Sequence, residues 1–375
     1  MKVWNQDRFY ISTFEAIRGA QGDFRKILEA NKEAGIDLVE LVFKKRDIVT
    51  KILDVCEELG IRTIVQDPCY GGIGDQIAAP DEETVKEAVS YYAKYQQIFG
   101  YFLWDEPVED AFAHCRSTKE LFEKYDPKKL LFCCAFPSYG VYTWDNGLYN
   151  WEENSYTKYI DQYASVIDPY VMSFDYYPFR DNEMNLITSN LWRDMGYISR
   201  KARELSKPFW FYFQGVDMTT GVTGISRAKI TAQMFAAIAY NAKGLSWFVT
   251  ADVLTDLEGN KKENYDELKS ANLEAKSLGQ FFFDKELSKI YHTPKNPGHE
   301  EIYFLDKMEE SELLESAPDF CIVSEFLDSS DKKYLLIVNR QHDKTVEGKI
   351  TLKNRMEVAV FDKAKGTVQP ACRTN

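Results

Sequence analysis

Two adjacent carboxylates, Asp105 and Glu106, end the apolar run Tyr101-Phe102-Leu103-Trp104 and are followed at once by Pro107. A run this apolar reads as a parallel strand buried on both faces, so charges at its carboxyl end must emerge at the mouth of a sheet. That is where α/β folds keep their chemistry. Further acids recur at the ends of other strand-like runs: Glu15, Asp67 and Asp175, the last followed by Tyr176 and Tyr177. One acid can donate a proton to a leaving oxygen while another attacks or stabilises a cationic carbon. Paired carboxylates across an aromatic-lined pocket are what glycosidic cleavage needs. Asp105, Glu106 and Asp175 are the candidates for such a pair.

Aromatic side chains to stack on sugar faces are in good supply. Trp104, Tyr176, Tyr177, Trp210, Tyr212 and Trp247 all lie near strand ends, although strict alternation along a strand buries every second one. Several positions admit two readings. Asp67, before Pro68, either caps a loop or touches substrate. Glu15 either pairs with Arg18 or faces the ligand, and Trp247 is either core or the floor of a subsite. Asp175, between Phe174 and Tyr176, costs too much to desolvate to stand there without function.

The elements that position these residues follow from periodicity. Short β-rich runs alternate with longer helical ones, the signature of parallel βα units. Strands are expected at 8–15, 37–43, 62–67, 101–105, 130–136, 170–176, 209–214 and 244–250. Helices are expected near 23–34, 46–59, 82–98, 109–125, 154–167, 183–206, 226–242 and 264–282. Acids at Asp81, Glu82 and Glu83 suit a first helical turn, and Gly35, Gly60, Gly100 and Gly244 mark helix-to-strand junctions. Eight such units predict a (β/α)8 TIM barrel over residues 1–283. From 284 to 375 the texture changes to alternating runs such as Tyr334–Val338, Gly348–Leu352 and Glu357–Phe361, which predict a small antiparallel β-sandwich. The acidic stretch from Met308 to Glu315 reads as a solvated loop or short helix.

Composition narrows the partners. A net charge of -13 repels nucleic acid and anionic membrane, leaving a neutral or cationic small ligand such as a carbohydrate. No apolar span reaches membrane length, and no signal-peptide h-region follows Met1. Seven cysteines without a Cys-x-x-Cys pair indicate neither a disulfide framework nor structural zinc. Cys133 and Cys134 read as small buried hydrophobes. Four scattered histidines give no histidine-rich metal or Ser-His-Asp site, and no metal or organic cofactor is expected. The run Gly71-Gly-Ile-Gly74 reads as a flexible turn rather than a phosphate loop.

Three stretches carry a resemblance. Trp104-Asp-Glu-Pro107, Ser173-Phe-Asp-Tyr-Tyr-Pro-Phe179 and the run from Gln233 to Phe248 resemble the clan A glycoside hydrolases, and within them β-galactosidase-like barrels, including many uncharacterised proteins from gut bacteria. The resemblance covers residues 8 to about 283. It implies that the acid/base is the glutamate ending strand four, here Glu106. It also implies a nucleophilic glutamate at the end of strand seven, where this chain has Gln214, an amide that cannot attack an anomeric carbon. Three readings stay open. Asp175 supplies the second carboxylate of an inverting enzyme; or Asp105 orients a substrate acetamide, as in N-acetylhexosaminidases; or the barrel binds glycans without cleaving them. Gln214, Trp104, Tyr177 and Trp247 are expected to shape the sugar pocket.

Overall fold

Among the described residues eight parallel strands, besides the two-residue strand Gly72–Ile73, alternate with eight helices along the first three quarters of the chain. The structure is a computed structural model that describes residues 4–17, 24–42, 45–73, 80–139, 155–179, 190–217, 225–293 and 303–371. The strands are β1 (Tyr10–Phe14), β2 (Leu38–Leu41), β3 (Arg62–Val65), β4 (Ile98–Asp105), β5 (Leu130–Cys134), β6 (Met172–Tyr176), β7 (Phe209–Gln214) and β8 (Ala242–Phe248). The helices are α1 (Phe24–Glu33), α2 (Arg46–Leu59), α3 (Glu82–Tyr92), α4 (Phe112–Tyr125), α5 (Ser155–Gln162), α6 (Leu191–Glu204), α7 (Arg227–Ala239) and α8 (Tyr265–Phe281). The side chain of Asp81 caps α3 by accepting the Thr84 N–H at 2.8 Å, with Glu82 and Glu83 in the first turn as expected. Gly60 closes α2 at φ +65°, a left-handed position that glycine adopts without a Cβ penalty. Among the described residues no helix is long and apolar enough to cross a membrane.

The strands form one curled parallel sheet in the order β4-β3-β2-β1-β8-β7-β6, with β5 on the other side of β4. Its two ends approach each other: β5 and β6 meet through a bridge from Ala135 to Phe174, where the Ala135 N–H donates to the Ser173 carbonyl at 2.9 Å. Gly72–Ile73, expected as a turn, instead pairs in parallel with Trp104 and Asp105; Gly74 lies outside the described residues. Gly100 and Gly244 were expected at junctions, yet both stand inside strands. At Gly244 the reason is packing. A Cβ there would lie 2.6 Å from the ring of Trp210, so the missing side chain seats the indole.

Alternation divides the apolar residues between two cores. Outward side chains such as Ile11, Val39, Val65, Leu103, Phe174, Phe211 and Trp247 pack against the helices. Inward ones, among them Tyr10, Phe14, Leu38, Phe102, Phe132, Trp210 and Tyr212, pack on one another across the concave face. Rings from strands that are not neighbours in the sheet touch there, as Phe132 does Tyr212 at 6.1 Å and Phe14 does Tyr212 at 6.3 Å. A floor this aromatic shuts water out beneath the mouth.

Beyond α8 the chain forms separate antiparallel sheets. β9 (Glu286–His292), β10 (Cys321–Leu327) and β11 (Lys333–Asn339) make one, and two-stranded pairs join Leu314–Ser316 to Thr351–Leu352 and Ala359–Asp362 to Thr367–Pro370. The three-stranded sheet lies against α7, where the Ser324 hydroxyl donates to the Ala239 carbonyl at 2.8 Å. Phe282 packs on Phe326 at 4.6 Å, and Phe281 stacks on Phe361 at 4.1 Å. The acidic stretch contains a short 3-10 turn at Met308–Glu310, and its end enters the strand beginning at Leu314.

Candidate active site

Strict alternation along β4 would turn Phe102 and Trp104 inward and Asp105 outward. The structure breaks that alternation. The register with β5 slips between Phe102, opposite Phe132, and Trp104, opposite Cys133. Leu103 and Trp104 therefore both face the outer core, and Asp105, opposite Cys134, turns to the concave side. A bulge of this kind is how a strand re-aims one side chain beside a site. The stacking role expected of Trp104 is corrected accordingly: the indole is buried against the outer layer.

Glu106 follows in the left-handed region at φ +46°, an uncommon conformation for a non-glycine residue. Its N–H donates to the Cys134 carbonyl at 2.9 Å, and its side chain stays partly exposed. Three tyrosines on α5 and the turn after it fix the backbone around it. The Tyr159 hydroxyl donates to the Pro107 carbonyl at 2.9 Å and accepts the Phe136 N–H at 3.1 Å. Tyr156 donates to the Phe136 carbonyl at 3.0 Å and Tyr163 to the Cys133 carbonyl at 2.9 Å. The ends of β4 and β5 are thus tied to one helix.

Asp175 is the penultimate residue of β6, with its side chain turned inward and 4% exposed. Asp105 keeps a partly exposed edge, but burial dominates its electrostatics and, with the charges of Asp175, Glu40 and Glu15, holds its carboxyl well above the usual carboxylate range. Cys134 reports the same crowd: burial first, then Asp175, Asp105 and Glu106, push its thiol up. Tyr177 is raised by burial and then by Asp175, Tyr139 and Glu106. Asp105, Glu106 and Asp175 thus all act on Cys134, and Asp175 and Glu106 also on Tyr177, at the carboxyl ends of β4 and β6. The wall there is Tyr177 against Phe248 at 4.8 Å, with Phe14 behind at 5.7 Å. The Tyr177 N–H donates to the Tyr139 hydroxyl at 2.8 Å.

The sequence reading passed over Glu40. It lies mid-strand in Leu38-Val-Glu-Leu41 and is wholly buried on the concave face. Its Oε2 accepts the Tyr212 hydroxyl at 2.5 Å and its Oε1 the Ser246 hydroxyl at 3.0 Å. Burial raises its pKa to about 7, against the opposing effect of hydrogen bonds from Tyr212, Ser12 and Ser246. The available signal was a lone acid inside an otherwise apolar strand. Tyr212 and Trp210 accordingly belong to the floor: Tyr212 serves Glu40, and the Trp210 Nε1–H donates to Gln6 at 3.0 Å.

Other expected site residues take different places. Glu15, at φ +42° at the end of β1, is nearly buried and acts on Asp105; its N–H donates to the Glu40 carbonyl at 3.1 Å. Its expected alternative partner, Arg18, lies outside the described residues. Asp67 is turned to the helices, with Arg46 Nε at 2.6 Å, the Tyr92 hydroxyl at 2.7 Å and the Cys69 N–H at 2.9 Å on its oxygens. Burial, which pushes Asp67 up, is outweighed by these bonds, and its pKa is lowered. It caps the loop after β3. Trp247 faces α8, where its Nε1–H donates to Asn272 at 3.0 Å, so the neighbouring Phe248 takes the mouth position expected of it. Tyr176 is buried in the outer core against Tyr139 at 4.8 Å. Gln214 is fully buried: its Oε1 accepts the Phe179 N–H at 2.8 Å and its Nε2 donates to the Val216 carbonyl at 2.9 Å. Gln214 thus braces the loop after β6. Among the described residues no three His, Cys, Asp or Glu side chains gather as a metal site.

No protein-family model and no curated protein matches the chain. Among solved structures it is similar to a putative alpha-L-fucosidase from Bacteroides thetaiotaomicron, at 12% identity and a TM-score of 0.50, over 74% of this chain and 98% of that one. It is also similar to a GH2 beta-galacturonidase from Eisenbergiella tayi bound to glycerol, at 13% identity and a TM-score of 0.50, over 71% of this chain. The aligned part is 50% of that second protein, so the chain spans about half its length. At identities this low the likeness is one of fold: the curled parallel sheet with its helices is an architecture that these two structures share.

Proposed function

We propose that the chain is a glycoside hydrolase: a closed (β/α)8 barrel over 1–283 with a β-sandwich over 284–375, cleaving O-glycosidic bonds with Glu106 as general acid. Closure is supported by the Ala135–Phe174 bridge between the two ends of the sheet. The observation that carries the function is the meeting of Asp105, Glu106 and Asp175 at one mouth beside the Tyr177–Phe248 wall. The similar structures bear the names of a putative alpha-L-fucosidase and a GH2 beta-galacturonidase, which agrees with this reading.

Within the mouth the carboxylates divide their roles by environment. Asp105 and Asp175 crowd each other, and such a pair shares a proton rather than carrying two charges. In this reading the proton is assigned to Asp105, whose carboxyl is held well above the usual range by burial and then by Asp175. Asp175 then carries the charge and serves as the base that activates water, while Glu106 protonates the leaving oxygen, an inverting arrangement. A neutral Asp105 gives no charge to stabilise a cationic acetamide ring, so the acetamide-assisted route is the weaker of the two. A noncatalytic glycan-binding barrel is the second reading, and one observation favours it: Gln214 stands at the end of β7 with both ends of its amide committed to backbone.

The test is a panel of nitrophenyl glycosides, including N-acetylhexosaminides, with proton NMR of the first-formed anomer. Nitrophenol release with inversion supports the reading. Retention, or cleavage of N-acetylhexosaminides alone, overturns the role of Asp175. No release from any glycoside by a protein that still binds sugars favours the second reading.

A further inference from the structure

The chain that leaves β5, Phe136-Pro137-Ser138-Tyr139, is held by two helices in turn. Tyr156 and Tyr159 of α5 take both backbone groups of Phe136, and the Ser138 N–H donates to Oδ2 of Asp194 on α6 at 2.9 Å. Asp194 stands in the first turn of α6, where the helix favours a carboxylate, and its side chain is wholly buried. Its other oxygen, Oδ1, has no hydrogen-bond partner among the described residues, with Arg193 Nε 3.6 Å away. Burying an acid with one oxygen unmet is costly, and the charge-assisted bond to Ser138 is what the fold sets against that cost. One residue further, the Tyr139 hydroxyl accepts the Tyr177 N–H at 2.8 Å, and the Tyr139 ring packs edge-on against Tyr176 at 4.8 Å. Tyr177 then meets Phe248 at 4.8 Å to form the wall of the mouth. From these contacts we propose that Asp194 is a positioning residue: it fixes Ser138 and, through Tyr139, sets Tyr177 where a sugar ring can stack on it.

The end of β6 explains why a side chain is needed there. Pairing between β6 and β7 stops at Tyr176, opposite Phe213, so the backbone of Tyr177 has left the ladder that fixes the strand. Its N–H is satisfied by a hydroxyl instead, and the hydroxyl is only as well placed as the loop that carries it. Phe179, beyond the stiff Pro178, is anchored separately: Gln214 accepts its N–H at 2.8 Å, and Gln214 is in turn tied to Gln233 of α7, which accepts the Gln214 N–H at 2.9 Å. The segment from Tyr177 to Phe179 is therefore held at one end by α6 and at the other by α7. The α6 anchor falls on the backbone of the wall residue itself. Loss of the Ser138 bond releases the loop that carries Tyr139 and with it the tilt of the Tyr177 ring. Neither Asp194 nor Tyr139 supplies the acid or the base of the proposed reaction, so the effect falls on sugar binding rather than on bond cleavage.

This role rests on the glycosidase reading, so its test carries a readout that needs no substrate. Tyr139→Phe removes the hydroxyl and keeps the ring, Asp194→Ala removes the acceptor for Ser138, and Asp194→Asn keeps an acceptor without the charge. In protein carrying isotope-labelled tyrosine, the amide resonance that Tyr177→Phe removes is expected to exchange with solvent about fivefold faster in Tyr139→Phe and in Asp194→Ala. KM for the nitrophenyl glycoside that the wild type cleaves fastest is expected to rise by about the same factor in each, with kcat unchanged, and to rise no further in the double variant. Asp194→Asn falls between the wild type and Asp194→Ala in both readouts. If Asp194→Ala does not fold, Tyr139→Phe and Asp194→Asn carry both readouts. A Tyr177 amide that exchanges as in the wild type when Asp194 is replaced overturns the link, and so do KM effects that add in the double variant. Faster exchange with KM unchanged overturns the role towards sugar. If the wild type cleaves no glycoside, the glycosidase reading falls, and the exchange rate still decides whether Asp194 sets Tyr177.

Discussion

Replacing Glu40 by glutamine gives a pH dependence of stability whose size can be worked out from the structure. Burial lifts Glu40 from its ordinary 4.5 to about 7 in the folded chain. The folded state therefore holds this proton more tightly than the unfolded state, and stability falls as pH rises between those two values. Ionising the wholly buried group costs about 3 kcal/mol by pH 8, since each unit of pKa difference corresponds to about 1.4 kcal/mol. Glutamine carries no such charge. It keeps one oxygen as acceptor but loses the other, so one of the hydroxyl groups of Tyr212 and Ser246 must turn, at a pH-independent cost of about 1 kcal/mol. Urea unfolding of both proteins at pH 5 and pH 8 separates the two contributions. At pH 5 the variant is slightly the less stable. At pH 8 the difference has moved in its favour by about 3 kcal/mol. Asp105 adds in the same direction, because it too is raised in part by the charge of Glu40. A difference in stability that is the same at the two pH values refutes the burial and charge assigned to Glu40.

Other substitutions test other parts of the structure. Gly244→Ala forces a Cβ to within 2.6 Å of the Trp210 ring, and overpacking of this kind is expected to cost about 1–3 kcal/mol in urea unfolding; an unchanged midpoint contradicts the tight seat. Trp247→Phe removes the bond to Asn272 and should lower stability by about 1 kcal/mol while leaving KM untouched. Tyr177→Ala should do the reverse, raising KM with little change in stability, and a KM effect at Trp247 but not at Tyr177 reverses the assignment of the wall. Arg46→Met leaves the buried Asp67 without its cation and is expected to cost about 3 kcal/mol at pH 7. Because the pKa of Asp67 is depressed in the fold, its contribution is present above the ordinary carboxylate range and fades as pH falls below it. The penalty of Arg46→Met should shrink at acid pH, and a constant penalty contradicts the ion pair.

Most of the architecture was legible because its signals are periodic. The expected strand at 209–214 matches β7, and the expected helix at 46–59 matches α2. An apolar period of 2 or 3.6 reflects which faces must leave water, and that survives without knowledge of tertiary contacts. What alternation cannot report is a change of phase. The slip between Phe102 and Trp104 exchanges inside for outside over the very residues that matter most, and nothing in Phe-Leu-Trp-Asp marks it. The same limit made Trp247 rather than Phe248 the expected wall. Gly100 and Gly244 were read as strand boundaries because glycine breaks elements, whereas Gly244 is empty so that Trp210 can fill the space. Glu40 was hidden for a different reason. A buried acid is recognisable only through its partners, and Tyr212 and Ser246 lie 172 and 206 residues away in sequence. The separate sheets after α8 were foreseen in kind, but strands β9 and β10 were not singled out.

The role of Glu106 is the claim on which the functional reading turns. A general acid matters in proportion to how badly the leaving group needs a proton, and its contribution is typically about 10²–10⁴-fold. Glu106→Gln should therefore be compared with the wild type on two glycosides of the same sugar, one with a dinitrophenolate leaving group and one with a simple alkoxide. The reading predicts near-wild-type bond cleavage for the dinitrophenyl glycoside and a loss of at least about 10²-fold for the alkyl glycoside. Equal rates for variant and wild type on the alkyl glycoside contradict it.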